Sequence, residues 1–256
     1  MVATRRRYAG PALRPPYDQL YREAAAFIPG ERLITDPLRL LTWRTDASFY
    51  RLIPAIAVVV ESEDEVVRLL AACARFRCPV TFRAAGTSLS GRAITGSVLV
   101  LLGDNWHRCE IGADGETITL QPGVIGAVAN RRLSSFGRKI GPDPASIDTA
   151  RIGGIAANNA SGMCCGTAQN SYRTISGVRV VLADGTVLDT REAVSRAVFL
   201  ERKQDFVREL DALGRAARAN EGLASRIRHK FRMKNTTGYS LNALVDFEDR
   251  SISWRT

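Results

Sequence analysis

The stretch Arg83-Ala84-Ala85-Gly86-Thr87-Ser88-Leu89-Ser90-Gly91 follows directly on a short apolar run, Pro79 to Phe82. Glycine and alanine let backbone N–H groups come close to a ligand, and the hydroxyls of Thr87, Ser88 and Ser90 add further donors. A pyrophosphate requires that combination, because its spread negative charge needs many short donors with little side-chain bulk in the way. The same composition also builds ordinary turns. A second small-residue region lies further along the chain: Gly141-Pro142-Asp143-Pro144-Ala145-Ser146, then Ile152-Gly153-Gly154, then Asn159-Ala160-Ser161-Gly162. Two such regions make a phosphate-bearing ligand the stronger reading of the first.

The elements around these loops decide which ligand chemistry is open. Ala55 to Val60 is a continuous β-branched run, as expected of a strand buried on both faces. Ser62-Glu63-Asp64-Glu65 has the spacing of a capping box, and the helix behind it presents Val66, Leu69, Leu70, Cys73 and Phe76 on one face. Pro79 to Arg83 and Ser97 to Leu102 read as two more strands. A dinucleotide site of the G-x-G-x-x-G kind belongs between the first strand and its helix, and here that position holds Glu61, Glu63 and Asp64. The loop instead follows the second strand and opens onto no long helix. No G-x-x-x-x-G-K-[ST] sequence is present, which excludes a P-loop.

Other elements are expected on either side. Tyr17 to Ile28 and Asp36 to Trp43 read as helices behind a basic, proline-rich arm. Thr117 to Gln121 alternates as a strand, and Val124 to Phe136 reads as a helix closed by Gly137. Ile175 to Leu182 and Thr186 to Asp189 flank Ala183-Asp184-Gly185 as a hairpin. Gln204 to Ala219 and Gly222 to Phe231 read as helices.

Composition bounds the function. The chain has 256 residues, 45% of them hydrophobic and 24% charged, which suits a folded domain with its own core. The longest apolar stretch, Pro54 to Val60, is strand-sized and far from a membrane span. Arg5, Arg6 and Arg7 are followed by no apolar signal core, so the expected setting is the cytoplasm, with peripheral association at the inner face of the membrane as a second placement. The five cysteines show no C-x-x-C spacing, so no metal or iron–sulfur site is read, and the adjacent Cys164 and Cys165 read as small packing residues. The formal charge of +10 comes from dispersed basic residues, apart from Arg5 to Arg7 and the run Arg226 to Lys234. That run has apolar residues at helical spacing and reads as a solvated helix face, with no nucleic-acid motif beside it. A basic nucleic-acid binder is the weaker alternative.

Taken in order, the segments Arg83–Gly91, Gly141–Ser146, Ile152–Gly154, Asn159–Gly162 and Val180–Gly185 resemble the FAD-binding domain of the vanillyl-alcohol oxidase (PCMH) type. Within it they are most similar to flavin D-2-hydroxyacid dehydrogenases, above all the bacterial D-lactate dehydrogenases that carry iron–sulfur clusters. Thr45–Arg51 and Lys234–Leu244 fit that subgroup too, and the resemblance covers roughly residues 18 to 248. It implies an α+β fold: two α/β subdomains behind an N-terminal helical arm at 1–45, the FAD-binding domain over 46–249, and a divergent tail at 250–256.

The same resemblance implies roles. Arg83, Ala84, Ala85, Gly86, Thr87, Ser88, Leu89, Ser90 and Gly91 would cradle the FAD pyrophosphate. Pro142, Asp143 and Ser146 would line the cofactor path, and Ile152, Gly153 and Gly154 would let backbone pass close to the flavin. Asn159 and Gly162 would lie nearby, with Gly123 by the adenine half. Ala84, Ala85 and Ser161 stand where many relatives have glycine. The phosphate loop holds no histidine, so FAD is expected to be non-covalent. The substrate would be a small 2-hydroxyacid, D-lactate first, with hydride passing from its C2 to flavin N5. His107 and His229 are poor catalytic candidates, and Tyr239 and Lys234 receive no chemical role, so no catalytic residue and no electron acceptor is assigned. The family places its substrate cap downstream, and the resemblance stops near Arg250. A truncated module with little D-lactate turnover of its own is therefore the alternative expectation.

Overall fold

In a computed structural model, the protein is described over residues 13–162, 166–234 and 240–247. It divides into two compact units, residues 1–106 with 183–185, and residues 107–182 with 186–256. The fold is a mixed α+β arrangement of helices and short sheets. The paired Cys164 and Cys165, the motif residues 235–239 and the expected tail at 250–256 lie outside the described residues, as do residues 1–12 of the arm.

In the first unit, α1 (Tyr17–Ala24) buries Leu20 and Ala24 and packs against α3 (Glu63–Arg75). The helix ends earlier than its periodicity suggests, yet Ile28 still points inward, 1% exposed, from the turn that follows. After β1 (Leu33–Ile34), Asp36 caps α2 (Pro37–Leu41) by accepting the Arg39 N–H at 2.9 Å, and Pro37 occupies the first turn, where its missing N–H is not needed. The sheet is completed by β2 (Ile56–Val60), β3 (Val80–Arg83) and β4 (Val98–Leu102), in the order β1-β2-β4-β3.

β2 and β3 both run parallel to β4, with Val58 and Phe82 each in register with Val100. The chain therefore leaves β3 at the sheet edge and must return the length of a strand before entering β4. That return, residues 84–97, contains no helix. The two central strands account for the apolar runs in the sequence. Ala57, Leu99 and Leu101 form a buried cluster with Ile34 and Leu40, while Ile56, Val58, Val60, Val98 and Val100 on the alternate positions are fully buried as well. Cys73, inside this unit, is also buried, and burial pushes its thiol up to about 12.

The expected capping box is half formed. Ser62 Oγ accepts the Glu65 N–H at 3.2 Å, but Glu65 reaches past Ser62 to accept the Glu61 N–H at 2.7 Å. The same carboxylate takes both Nη atoms of Arg32 at 2.7 Å each. A bidentate guanidinium outcompetes a local backbone bond and turns the side chain toward it. Glu61 in turn accepts the N–H groups of Asp104 and Asn105 at 3.1 and 2.8 Å, and its carboxylate fills the space that a Cβ on Gly103 would need. The acidic cluster that replaces a dinucleotide motif is thus engaged in structure.

The second unit opens with a hairpin of β5 (Cys109–Ile111) and β6 (Ile118–Leu120). The helix expected over Val124 to Phe136 begins later, as α4 (Gly126–Leu133), because Ile125 is extended and bridges Arg151. It ends through a 3-10 turn at Ser134–Phe136 on Gly137, whose φ of +65° is left-handed. Two short helices, α5 (Ile152–Ala157) and α6 (Ser171–Thr174), follow, and then the expected hairpin, reduced to β7 (Arg179–Val181) and β8 (Val187–Asp189). An unanticipated α7 (Ala193–Arg202) precedes α8 (Gln204–Ala219), α9 (Glu221–Lys230) and α10 (Ala243–Asp246). Ala217, Ala224, Ile227 and Val245 form the core of that helical group, and Arg218 Nη1 ties its end by donating to the carbonyls of Leu244 and Phe247 at 2.8 and 2.9 Å.

The Arg32 hydrogen bonds hold the Glu65 carboxyl below its ordinary value, against burial, which acts to raise it. A depressed carboxyl stabilises the fold above its unfolded value of about 4.3, and that contribution is lost as pH falls through the lower folded value. Glu65→Gln is expected to cost about 1–3 kcal/mol in urea unfolding at pH 7, with the deficit shrinking once the pH is below about 4. An equal deficit at neutral and acid pH would contradict the Glu65 assignment.

Candidate functional site

The loop after β3 is held from behind. Arg83 Nη1 donates to the Thr45 and Ala93 carbonyls at 2.9 and 3.0 Å, so the guanidinium joins an earlier segment to both ends of the loop. It lies directly beneath Gly86, where any Cβ would run into it. Desolvation lowers the guanidinium from its ordinary value, and the nearby Asp46 charge pulls it back. Asp46 accepts the Ser48 N–H at 2.9 Å and the Ala93 N–H at 3.3 Å, and also the Ser48 hydroxyl. Burial works to raise the Asp46 carboxyl, but these hydrogen bonds and the Arg83 charge together hold it below the usual range. The Ala47 N–H donates to Gly86 C=O at 2.9 Å, and the Tyr50 ring lies 2.9 Å from where a Cβ on Gly91 would sit.

Gly86 and Gly91 have φ of +74° and +72°, the left-handed region that other residues rarely enter. Ala84 and Ala85 stay out of it, so their methyl groups are accommodated. Ser88 Oγ accepts the N–H groups of Ser90 and Arg92 at 3.3 and 3.2 Å, which curls the loop tip. The remaining N–H groups of Gly86, Thr87, Leu89 and Gly91 meet no acceptor among the described residues, nor do the Thr87 and Ser90 hydroxyls. Leu89 is 77% exposed. The loop therefore leaves these donors without a protein acceptor among the described residues while its shape is fixed by Arg83, Asp46 and Tyr50. Sequence reasoning had tied residues 45–51 to the family pattern without seeing that they brace this turn.

In the second unit, the small-residue segments are stitched to one another. The Gly153 and Ile152 N–H groups donate to Pro122 and Val124 carbonyls at 2.9 and 2.8 Å, and those of Gly126 and Ala127 donate to Ala150 and Ile147 at 3.0 Å each. Gly123 is buried within this ladder. A Cβ on Gly153 would sit 2.8 Å from Pro122 Cβ. The Asp143 N–H donates to Ser161 C=O at 3.0 Å, and a Cβ on Gly162 would overlap the Asp143 carbonyl. Pro142, Asp143 and Ser146 thus share one neighbourhood with Ile152, Gly153, Gly154, Asn159 and Gly162, as adjoining parts of a single folded ladder. Asn159 holds a left-handed φ of +44° and accepts the Tyr172 N–H at 2.9 Å, while Ser171 Oγ donates to the Ile155 and Ala160 carbonyls at 3.0 and 3.2 Å. Asn170, Ser171 and Tyr172 carry none of the composition cues of a binding loop and escaped the sequence reading.

A pyrophosphate-bearing flavin fits both regions on their own evidence. The first offers unpaired amides on a turn whose glycines a side chain would block. The second leaves Ser161 Oγ buried, without a partner among the described residues, beside the closely approaching Gly162 backbone. A buried donor left in this way is rare in folded proteins unless a ligand or water completes it.

Comparison with known proteins gives the family. The chain is 29% identical over 164 residues to the glycolate oxidase subunit GlcD of Escherichia coli (strain K12), covering 63% of this chain and 33% of that protein. It is 31% identical over 155 residues to the D-2-hydroxyglutarate dehydrogenase of the same organism, covering 59% of this chain and 15% of that protein. It thus spans a third or less of the length of these curated relatives. Among solved structures, an alkyldihydroxyacetonephosphate synthase superposes with a TM-score of 0.59 at 20% identity, over 71% of this chain and 37% of that one, which supports the fold. The model of the FAD binding domain matches residues 54–191, from the start of the buried central strand to the end of the second hairpin. That match takes in more than half of the chain and both small-residue regions, so the chain belongs to the FAD-binding domain family, and FAD is its cofactor.

Proposed function

We propose that the chain is the FAD-holding portion of an oxidoreductase acting on 2-hydroxyacids, with D-lactate as the substrate. The observation that carries the cofactor part is the set of unpaired N–H groups at Gly86, Thr87, Leu89 and Gly91 on a turn braced by Arg83. In this reading they bind the FAD pyrophosphate, helped by the Thr87 and Ser90 hydroxyls, while Arg83 acts as a strut. In the same reading the segments 141–146 and 152–162 serve the flavin end, and Gly153 and Gly162 are needed there because the Pro122 and Asp143 backbone packs directly against them. When bound, FAD supplies a two-electron acceptor for the hydrogen on the carbinol carbon of the substrate. The substrate class is supported by the relatives' names, one a glycolate oxidase subunit and one a D-2-hydroxyglutarate dehydrogenase. D-lactate is supported by the sequence resemblance and by a further relative, a probable mitochondrial D-lactate dehydrogenase of Danio rerio that is 31% identical over 139 residues. No residue of the described chain is proposed as catalytic base.

The absorption spectrum of the purified protein tests the cofactor. Oxidised-flavin bands are expected, with the chromophore released into the supernatant on acid precipitation, since no residue of the loop is suited to a covalent link. A colourless protein that also fails to take up added FAD would contradict the proposal. The loop itself is tested by Gly86→Ala, set against Gly137→Ala at a second left-handed glycine with open space around it. Both replacements carry a backbone strain of about 1–3 kcal/mol. Only Gly86→Ala is expected to weaken FAD binding, by about tenfold or more, and equal losses in the two variants would indicate general destabilisation. Gly162→Ala is expected to force Asp143 and Ser161 apart, lowering thermal stability by about 1–3 kcal/mol together with flavin content. Unchanged melting and flavin content in that variant would show that the backbone approach is dispensable.

A further inference from the structure

Two of the free cysteines, Cys73 and Cys78, take no part in the cofactor reading, and the end of α3 brings them together. There the helix closes with two nested bonds. The Cys78 N–H donates to Cys73 C=O at 2.8 Å, and inside that ring the Arg77 N–H donates to Ala74 C=O at 3.2 Å. Arg77 has a φ of +54°, the left-handed position that such a closure requires and that glycine ordinarily fills. This is a Schellman motif, with Cys73 and Cys78 at the two positions whose side chains meet across its end. Ordinarily two apolar side chains make that contact, and here both are thiols.

The geometry suits a covalent link. A bond of 2.8 Å from the N–H of one residue to the C=O of the other limits their Cα separation. Standard backbone dimensions set that limit at about 6 Å, inside the span of about 4.4–6.8 Å that a disulfide bridges. Cys73 and Cys78 are 2% and 5% exposed. Cys78 sits between the exposed Arg77 and Pro79, and its Sγ donates back to Phe76 C=O at 3.7 Å, whereas Cys73 belongs to the buried face of α3. Burial raises both thiols from their ordinary value, and the neighbouring Cys78 raises Cys73 further, so the pair rests protonated at neutral pH.

We propose that Cys73 and Cys78 are a reversible thiol–disulfide site, oxidised by a small-molecule disulfide of the glutathione type. Cys78, nearer the surface, loses its proton and attacks one sulfur of the small disulfide, which releases one thiol and leaves a mixed disulfide on Cys78. Cys73 then gives up its proton and attacks the Cys78 sulfur, so the Cys73–Cys78 bond forms and the second small thiol leaves. The two protein thiols lose two electrons and two protons, and the small disulfide is reduced to two thiols. The product is a covalent clasp across the end of α3, just before β3 begins at Val80. The proposal does not depend on the flavin reading, since it is measured at two cysteines outside both small-residue regions.

The full chain is equilibrated anaerobically with mixtures of reduced and oxidised glutathione, folded in buffer and unfolded in urea, then acid-quenched, alkylated and digested with trypsin. Cleavage after Arg68, Arg75, Arg77 and Arg83 puts the two cysteines on separate peptides, 69–75 and 78–83, which only a disulfide joins. Reversible formation of the joined peptides is expected, with an equilibrium constant about tenfold or more higher in the folded chain than in the unfolded one. Equal constants would overturn the proposal, because the motif would then add nothing to nearness in sequence. So would Cys73 and Cys78 staying free thiols in the folded chain across the glutathione range, or Cys73 joined there to a different cysteine. In Cys78→Ser, shown to be folded by circular dichroism, Cys73 is expected to remain a free thiol over the same range. Cys73 carrying glutathione in that variant would overturn the assignment of Cys78 as the attacking thiol.

Discussion

A turn that keeps its own amides unpaired cannot be held by its own hydrogen bonds, and in this protein the Arg83 guanidinium does the holding. It donates to the Thr45 and Ala93 carbonyls, sits beside the Asp46 carboxylate and closes the space beneath Gly86. Its charge helps keep Asp46 ionised, and Asp46 in turn accepts the Ala93 N–H at the far end of the same loop. The two groups form a cross-brace, so the loop edge facing solvent is left free to be chemical. The parallel sheet makes this necessary. With β3 at the edge and β4 beside it, the chain must return the length of a strand without a helix to stiffen it.

The second unit solves a related problem with backbone instead of charge. Its small-residue segments are laced by a ladder from Pro122 to Ala127 against Ile147 to Gly153, and closed by the Asp143–Ser161 bond. Gly153 and Gly162 are required because a side chain would strike Pro122 or the Asp143 carbonyl. Glycine here is a packing requirement. Each unit leaves a polar group without a partner among the described residues, and the acidic turn after β2 is engaged with Arg32 and the 104–105 amides.

What could be read from sequence followed the strength of the local signal. The run Ala55 to Val60 and the helix behind Ser62 were legible because continuous β-branched residues and a 3.6-residue apolar period have few other solutions. The loop composition was legible for the same reason, and so was the hairpin around Asp184-Gly185. The start of α4 was not, since Ile125 is held extended by a bridge to Arg151 that no local pattern announces. α5 was hidden by Gly153 and Gly154, poor helix formers held helical by their neighbours. α7 buries only Phe199 and leaves Val194 76% exposed, so its apolar residues gave no single face to read. The roles of Asp46 and Arg83, and the meeting of Tyr172 with Asp246, are tertiary, joining residues far apart in the chain through side-chain ends.

The central claim is that the braced loop at 84–91 recognises a pyrophosphate, so the decisive measurement compares the affinity of flavin-free protein for FAD with that for riboflavin, which lacks both phosphates and the adenosine. Fluorescence titration is expected to show FAD binding tighter by about a hundredfold or more, corresponding to a few charge-assisted hydrogen bonds. The advantage is expected to fall substantially in Gly86→Ala. Equal affinity for the two flavins, or an FAD advantage untouched by that substitution, would contradict the account.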